Sequence, residues 1–217
     1  MKKRRISAAT VSGHSSTHRS LCVALTGTMG CGKSEALKVF RRLGAAALCL
    51  DETAHRVLSK GGSAYQPVLR SFGPAILDRR GQIDRRTLGR IVFAKPALRR
   101  RLERLTHPAI LSEMRSWMRS RGRGLAVIDV PLLFEKGLEK EFDLTMVVAA
   151  KKTLCFKRLL RRDGLKLREL RRRCAAQMPL PEKMSRADVV VRNEGSLKDL
   201  AKKIQEYGRA FQLIHGG

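Results

Sequence analysis

"LCVALTGTMGCGKSEALKVFRRLG", residues 21–44, sets an unbroken apolar run before a glycine-bracketed loop and a helix-like stretch. The run "LCVALT" reads as a strand buried on both faces, because polar residues do not alternate through it. "KSEALKVFRRLG" reads as a helix stopped by Gly44. Between them, Gly27 to Ser34 match G-x-x-x-x-G-K-[ST] in full, and a strand before with a helix after is the context that motif requires. Glycines let successive backbone N–H groups turn inward as a nest for phosphate oxygens, and the helix adds its positive N-terminal end. Gly27, Gly30, Cys31 and Gly32 then form the wall of a phosphate cradle. Lys33 is suited to the β- and γ-phosphates of ATP, and the Ser34 hydroxyl to Mg²⁺.

The same rhythm continues beyond the loop. "AAALCL" (45–50), "LAVIDV" (125–130), "LTMVVAA" (144–150) and "ADVVV" (187–191) are further apolar runs separated by helical stretches. Buried strands alternating with helices predict an α/β fold with a parallel sheet covered on both faces. Residues from about 62 to 121 break that rhythm. They hold helical pieces such as "RRTLGRIVF" and "ALRRRLERL", punctuated by "FGP", "DRRGQ" and "HP", and are expected to form a helical insertion. A second special stretch, about 155–182, is helical, rich in Arg, interrupted by Gly164 and closed by prolines. The folded domain is placed at 21–217, after a basic segment 1–20 without acidic or long apolar content. That segment is no secretory signal; it reads as a disordered tail or an overlong start, and its composition is also compatible with a transit peptide.

Composition narrows the partners. Lys and Arg number 46 against 19 Asp and Glu, a net charge of +27 that attracts polyanions or reflects a general bias toward Arg. Aromatic residues are only 5% and do not interleave with the basic ones, so a stacking nucleic-acid surface is disfavoured. No run is long enough to span a membrane. The five cysteines are scattered, with no C-x-x-C and no zinc-ligand spacing, which suits reduced thiols and a cytoplasmic location. Cys31 within the cradle is expected to lean toward thiolate beside Lys33 and the loop dipoles, or else to be an inert small residue. Asp129, ending its apolar strand, is a candidate second anchor for Mg²⁺, with a helix cap or simple loop acid as the alternative. Asp51, directly after the second strand, belongs at the carboxyl edge of the sheet where such folds bind ligands, or serves as a helix N-cap.

A phosphate cradle alone says only nucleotide binding. The segments "ALTGTMGCGKS", "LDETAHRVL", "GQIDRRTLGRIVF", "LERLTHPAI", "DVPLLFE", "KRLLRRDG" and "AAQMPLPEKMSRADVVVRNEGSL" together resemble the dephospho-CoA kinase family over Leu21 to about Leu200. The resemblance implies a nucleotide-binding core, a helical acceptor side and an Arg-rich lid. It implies transfer of the ATP γ-phosphoryl group to the ribose 3′-hydroxyl of dephospho-CoA, the last step of coenzyme A synthesis. Asp51 would orient or deprotonate the acceptor hydroxyl. Arg158 would be the transition-state arginine and Arg162, one turn on, a weaker phosphate contact. Asn193 would belong to a loop near the adenine. His107 and the run Pro131, Leu132, Leu133 would belong to the acceptor side. A monomer or weak homo-oligomer acting on small molecules, with no obligate nucleic acid and no membrane, completes the expectation.

Three positions depart from the family pattern. Cys49 stands where the first Asp of Asp-x-Asp is common, and Arg192 stands where Asp usually precedes the Asn. Glu35 replaces a usual Thr whose hydroxyl could reach the α-phosphate; its carboxylate suits the helix's positive end and is expected to turn away from the phosphates. Two other readings remain at this point: a kinase for another nucleotide or nucleoside, and a nucleic-acid-associated P-loop ATPase.

Overall fold

The computed structural model describes residues 19–163, 167–175 and 177–216, apart from some side chains within those ranges. The basic segment up to residue 18 therefore lies outside the described residues. Arg19 and Ser20, placed in the basic segment from the sequence, pack on the domain: Arg19 pairs with Asp143 and Ser20 is buried. Five strands form one parallel sheet: β1 (Leu21–Thr26), β2 (Ala46–Cys49), β3 (Leu125–Asp129), β4 (Leu144–Ala149) and β5 (Val189–Arg192). Their order is β2-β3-β1-β4-β5, so β1 occupies the centre. Leu21 lies opposite Leu125 on one side, and Val23 opposite Leu144 on the other. A central parallel strand has neighbours on both edges and helices on both faces, which is why every residue of β1 is buried.

The chain divides into two compact units. The first, residues 1–48 with 121–217, contains the sheet. Its helices are α1 (Lys33–Arg42) and, after β4, α6 (Lys152–Asp163), α7 (Leu167–Ala175), α8 (Leu180–Arg186) and α9 (Leu197–Gly216). Ala36, Leu37, Val39 and Phe40 place the apolar stripe of α1 inward, where it meets α9.

The second unit, Cys49–Ser120, starts earlier than the sequence expectation of about 62 and takes α2 (Leu50–Leu58) with it. It continues through α3 (Tyr65–Phe72), α4 (Arg85–Ala94) and α5 (Pro96–Arg119), with one isolated bridge between Leu77 and Ile83. Val57, Ala64, Tyr65, Val68, Ile76, Ile83, Leu88 and Val92 give it a core of its own. "HP", read from sequence as punctuation, interrupts nothing: α5 runs straight through Pro108. A proline there removes one helical hydrogen bond. Packing of α2, α3 and α4 along α5 outweighs that loss.

Candidate active site

The cradle begins where β1 ends. Thr26 is fully buried, Gly27 follows, and the loop winds up to Gly32, whose φ of 106° caps α1 in the left-handed region. A side chain at Gly32 would be strained there, and its Cβ would lie 2.4 Å from Asn193 Nδ2. Lys33 Nζ donates to the carbonyls of Gly27 (3.2 Å) and Thr28 (3.5 Å), so its ammonium lies across the loop. Ser34 is exposed in the first turn of α1. Glu35 pairs with Lys38 at 2.8 Å along the exposed helix face, which directs its carboxylate along α1.

Polar groups from distant elements brace this loop. Asn193, just after β5, is 2% exposed and donates from Nδ2 to the Cys31 carbonyl at 2.8 Å. Its own backbone N–H is anchored on Ala149 at 2.7 Å. The Asn193 side chain is thus engaged with the cradle's backbone. Gln177 Oε1 accepts from the Met29 N–H at 3.2 Å. On another side α6 passes so close that a Cβ on Gly30 would lie 2.9 Å from both the Cys155 carbonyl and Leu159 Cγ.

That approach brings α6 and its Arg158 to the loop. Arg158 is half-buried, and its Nη1 is buried with no hydrogen-bond partner among the described residues. A desolvated guanidinium nitrogen without an acceptor is a costly group that a phosphate oxygen satisfies. The Arg162 side chain lies outside the described residues. Cys31 corrects the thiolate expectation: it is fully buried, and burial raises its thiol pKa despite Lys33, with Asp129 adding in the same direction. Local dipoles favoured the anion, but the surrounding structure excludes the water that would stabilise it.

Asp129 closes β3 beside Leu25 and is 4% exposed, at the same sheet edge from which the cradle springs. A buried carboxylate and the exposed Ser34 hydroxyl are the oxygen donors that Mg²⁺ takes.

The run after β3 is divided. Pro131 and Leu132 are half-buried, whereas the Leu133 side chain is fully buried and belongs to the core, leaving only its backbone for a ligand. Sequence reasoning missed the group that holds this run. Lys183 on α8 is 0% exposed, and its Nζ lies 2.8 Å from Glu135 Oε1 and donates to the Pro131 carbonyl at 3.0 Å. Burial pushes the Glu135 carboxyl up, but the Lys183 and Met178 hydrogen bonds outweigh it and hold its pKa below the ordinary value. Removing one partner of such a buried pair costs about 3–5 kcal/mol. Lys183 was visible only as one letter of "AAQMPLPEKM"; an isolated lysine in a basic chain carries no signal of burial.

In the helical unit, Asp51 is exposed in the first turn of α2, which opens directly on the carboxyl end of β2. The helix begins at Leu50 with Cys49 as its N-cap, so Asp51 is not the cap. Its charge acts on His55 one turn on, where burial, followed by Arg85, lowers the imidazole pKa. His107 is half-buried on α5, beside buried Thr106.

Comparison with known proteins identifies the family. The family model described as dephospho-CoA kinase matches residues 21–199. A dephospho-CoA kinase of Anaeromyxobacter dehalogenans is 42% identical over 198 residues, covering 90% of this chain and 92% of the relative. One from Geobacillus kaustophilus is 39% identical over 188 residues, covering 85% and 93%. The crystal structure of TT1252 from Thermus thermophilus superposes with a TM-score of 0.76 at 33% identity, covering 87% of this chain and 96% of that one. A dephospho-CoA kinase from Campylobacter jejuni gives 0.68 at 26% identity, covering 89% and 98%.

Proposed function

The chain belongs to the dephospho-CoA kinase family, and from that premise we propose that it transfers the γ-phosphoryl group of ATP to the ribose 3′-hydroxyl of dephospho-CoA. The products are coenzyme A and ADP, closing coenzyme A synthesis. The observation that carries this reading is the complete phosphate cradle, Gly27–Ser34, braced by Asn193 and packed against the helix that bears Arg158.

The γ-phosphoryl transition state is loose and highly charged, so catalysis consists mainly of positioning and charge stabilisation. The loop N–H groups and the start of α1 hold the β-phosphate, and the Lys33 ammonium swings from the loop carbonyls onto the β- and γ-oxygens. Arg158, with its buried Nη1, takes an equatorial oxygen of the transferring group. Arg162 adds a weaker contact. Asp51 orients the acceptor hydroxyl and accepts its proton as the new P–O bond forms. Pro131, Leu132 and the backbone of Leu133, with His107, belong to the acceptor side.

Ser34 and Asp129 would hold Mg²⁺, as an exposed hydroxyl at a helix start and a buried carboxylate at a strand end. Magnesium, when bound, neutralises charge on the β- and γ-phosphates. No described helix is long and apolar enough to cross a membrane, and all five cysteines are thiols. Reduced thiols suit a cytoplasmic enzyme, and the reading is completed by small-molecule substrates, a monomeric or weakly homo-oligomeric state and no obligate nucleic acid.

Incubation with Mg-ATP and a panel of dephospho-CoA, nucleosides and nucleotides, read by mass, tests the assignment. A single added phosphoryl group on dephospho-CoA is expected. Phosphorylated nucleosides with unmodified dephospho-CoA would overturn it.

A further inference from the structure

The segment from Gln177 to Lys183 touches two functional loops at once. At its start, the Gln177 side chain accepts from the Met29 N–H inside the cradle at 3.2 Å. At its end, the Lys183 ammonium donates to the Pro131 carbonyl at 3.0 Å and pairs with Glu135 at 2.8 Å. Between these ends, the Met178 N–H donates to the same Glu135 oxygen at 2.9 Å. Pro179 and Pro181 restrict the backbone in the middle. The Pro131 carbonyl also receives the Thr26 hydroxyl at 3.5 Å, from the residue immediately before the cradle. One carbonyl oxygen therefore joins the end of β1, the run after β3 and α8.

A fully buried ammonium is a poor way to gain stability, because well-packed apolar groups of similar volume do as well or better. What the charge adds is direction: one ammonium with two fixed acceptors, the Pro131 carbonyl and the Glu135 carboxylate, ties both ends of the run Pro131–Glu135 to α8. We propose that residues 177–183 are a two-ended strap, in which Gln177 positions the cradle for ATP and Lys183 positions the run after β3 for the acceptor. Both are positioning residues that touch neither substrate. The inference rests on the assignment of that run to the acceptor side.

Kinetics of four variants of the full chain test it. Gln177→Ala is expected to raise the KM for ATP on the order of tenfold, with the KM for dephospho-CoA within about twofold. Lys183→Met strands the Glu135 charge and lowers the Tm. The double variant Lys183→Met/Glu135→Gln removes both charges, so its Tm recovers while the KM for dephospho-CoA stays raised on the order of tenfold. A purely structural pair would return kinetics together with Tm, and that result overturns the proposal. Equal shifts in both KM values for either Gln177→Ala or the double variant also overturn it. Gln177 is only half-buried, so its variant decides the matter even where the Lys183 variants fail to fold. Leu132→Ala tests the underlying assignment separately. A raised KM for dephospho-CoA in Leu132→Ala but not in the double variant removes the strap alone; no change in either removes both the strap and the acceptor assignment.

Discussion

The sheet unit and the helical unit treat their polar groups in opposite ways. Among the described residues, the sheet unit buries Ser20, Thr26, Thr145, Asp129, Lys183 and Asn193, and the last two hold the run after β3 and the cradle. The helical unit buries two threonines, Thr53 and Thr106, and each bonds the carbonyl one turn back in its own helix. Its core is otherwise apolar. The cradle is thus braced by tertiary contacts, while the helical unit is an apolar scaffold with Asp51, the proposed acceptor-orienting group, exposed on its surface. Preorganised donors aimed at developing charge are worth most where water is excluded. A hydroxyl acceptor needs orientation, which a surface carboxylate on a stable scaffold supplies.

Variants separate the two modes, beginning with the greatest loss. Lys33→Ala should lower kcat/KM for ATP by about 10²–10³ and weaken ADP binding, read by calorimetry; intact binding would detach Lys33 from the phosphates. Asp51→Asn should lower kcat on the order of 10²-fold while the Kd for ADP is unchanged. Unchanged turnover would reduce Asp51 to a surface acid of α2. Asn193→Ala should raise the KM for ATP on the order of tenfold by freeing the Cys31 carbonyl, with the KM for dephospho-CoA unaffected. A larger effect on dephospho-CoA would break the contrast between the units.

A smaller effect lies in acid. Glu135 has a folded pKa below its ordinary 4.5, so its stabilising contribution is complete above about pH 4.5 and is lost as pH falls through the depressed value. Unfolding midpoints should drop by a few degrees across that window, and the Glu135→Gln variant should lack this component. A variant with the wild-type slope would show that other carboxylates carry it. The smallest change is expected at Cys31: Cys31→Ser should stay within about twofold of wild-type kcat. Slow labelling by N-ethylmaleimide near neutral pH, whether or not ATP is present, should accompany it. Rapid labelling suppressed by ATP would restore the thiolate reading.

What could be read from sequence divides along similar lines. Gly27–Ser34 was legible because the motif is contiguous and its strand and helix flank it directly. The strands were legible because apolar runs of the right length sit between helices. The contacts of the supports were not, although the family resemblance did single out Asn193, for the adenine side. Asn193 reaches Cys31 across 162 positions, Gln177 reaches Met29 across 148, and Lys183 reaches Pro131 across 52. No local pattern encodes such pairings. The thiolate reading of Cys31 failed for the same reason, since its dipoles are local and its burial comes from remote elements, and the alternative of an inert small residue fits. Pro108 misled because propensity is local, whereas the packing that keeps α5 continuous belongs to the whole helical unit.

The central place of β1 bears on how the protein is made. Its pairing partners, Leu125 for Leu21 and Leu144 for Val23, come about 100 residues later in the chain. At roughly 5–20 residues per second on the ribosome, this apolar strand waits on the order of 5–20 s for its first neighbour. The helical unit, with its own core between residues 49 and 120, is fully synthesised within that interval. The whole helical unit is therefore present in the nascent chain before the cradle's strand has anything to pair with.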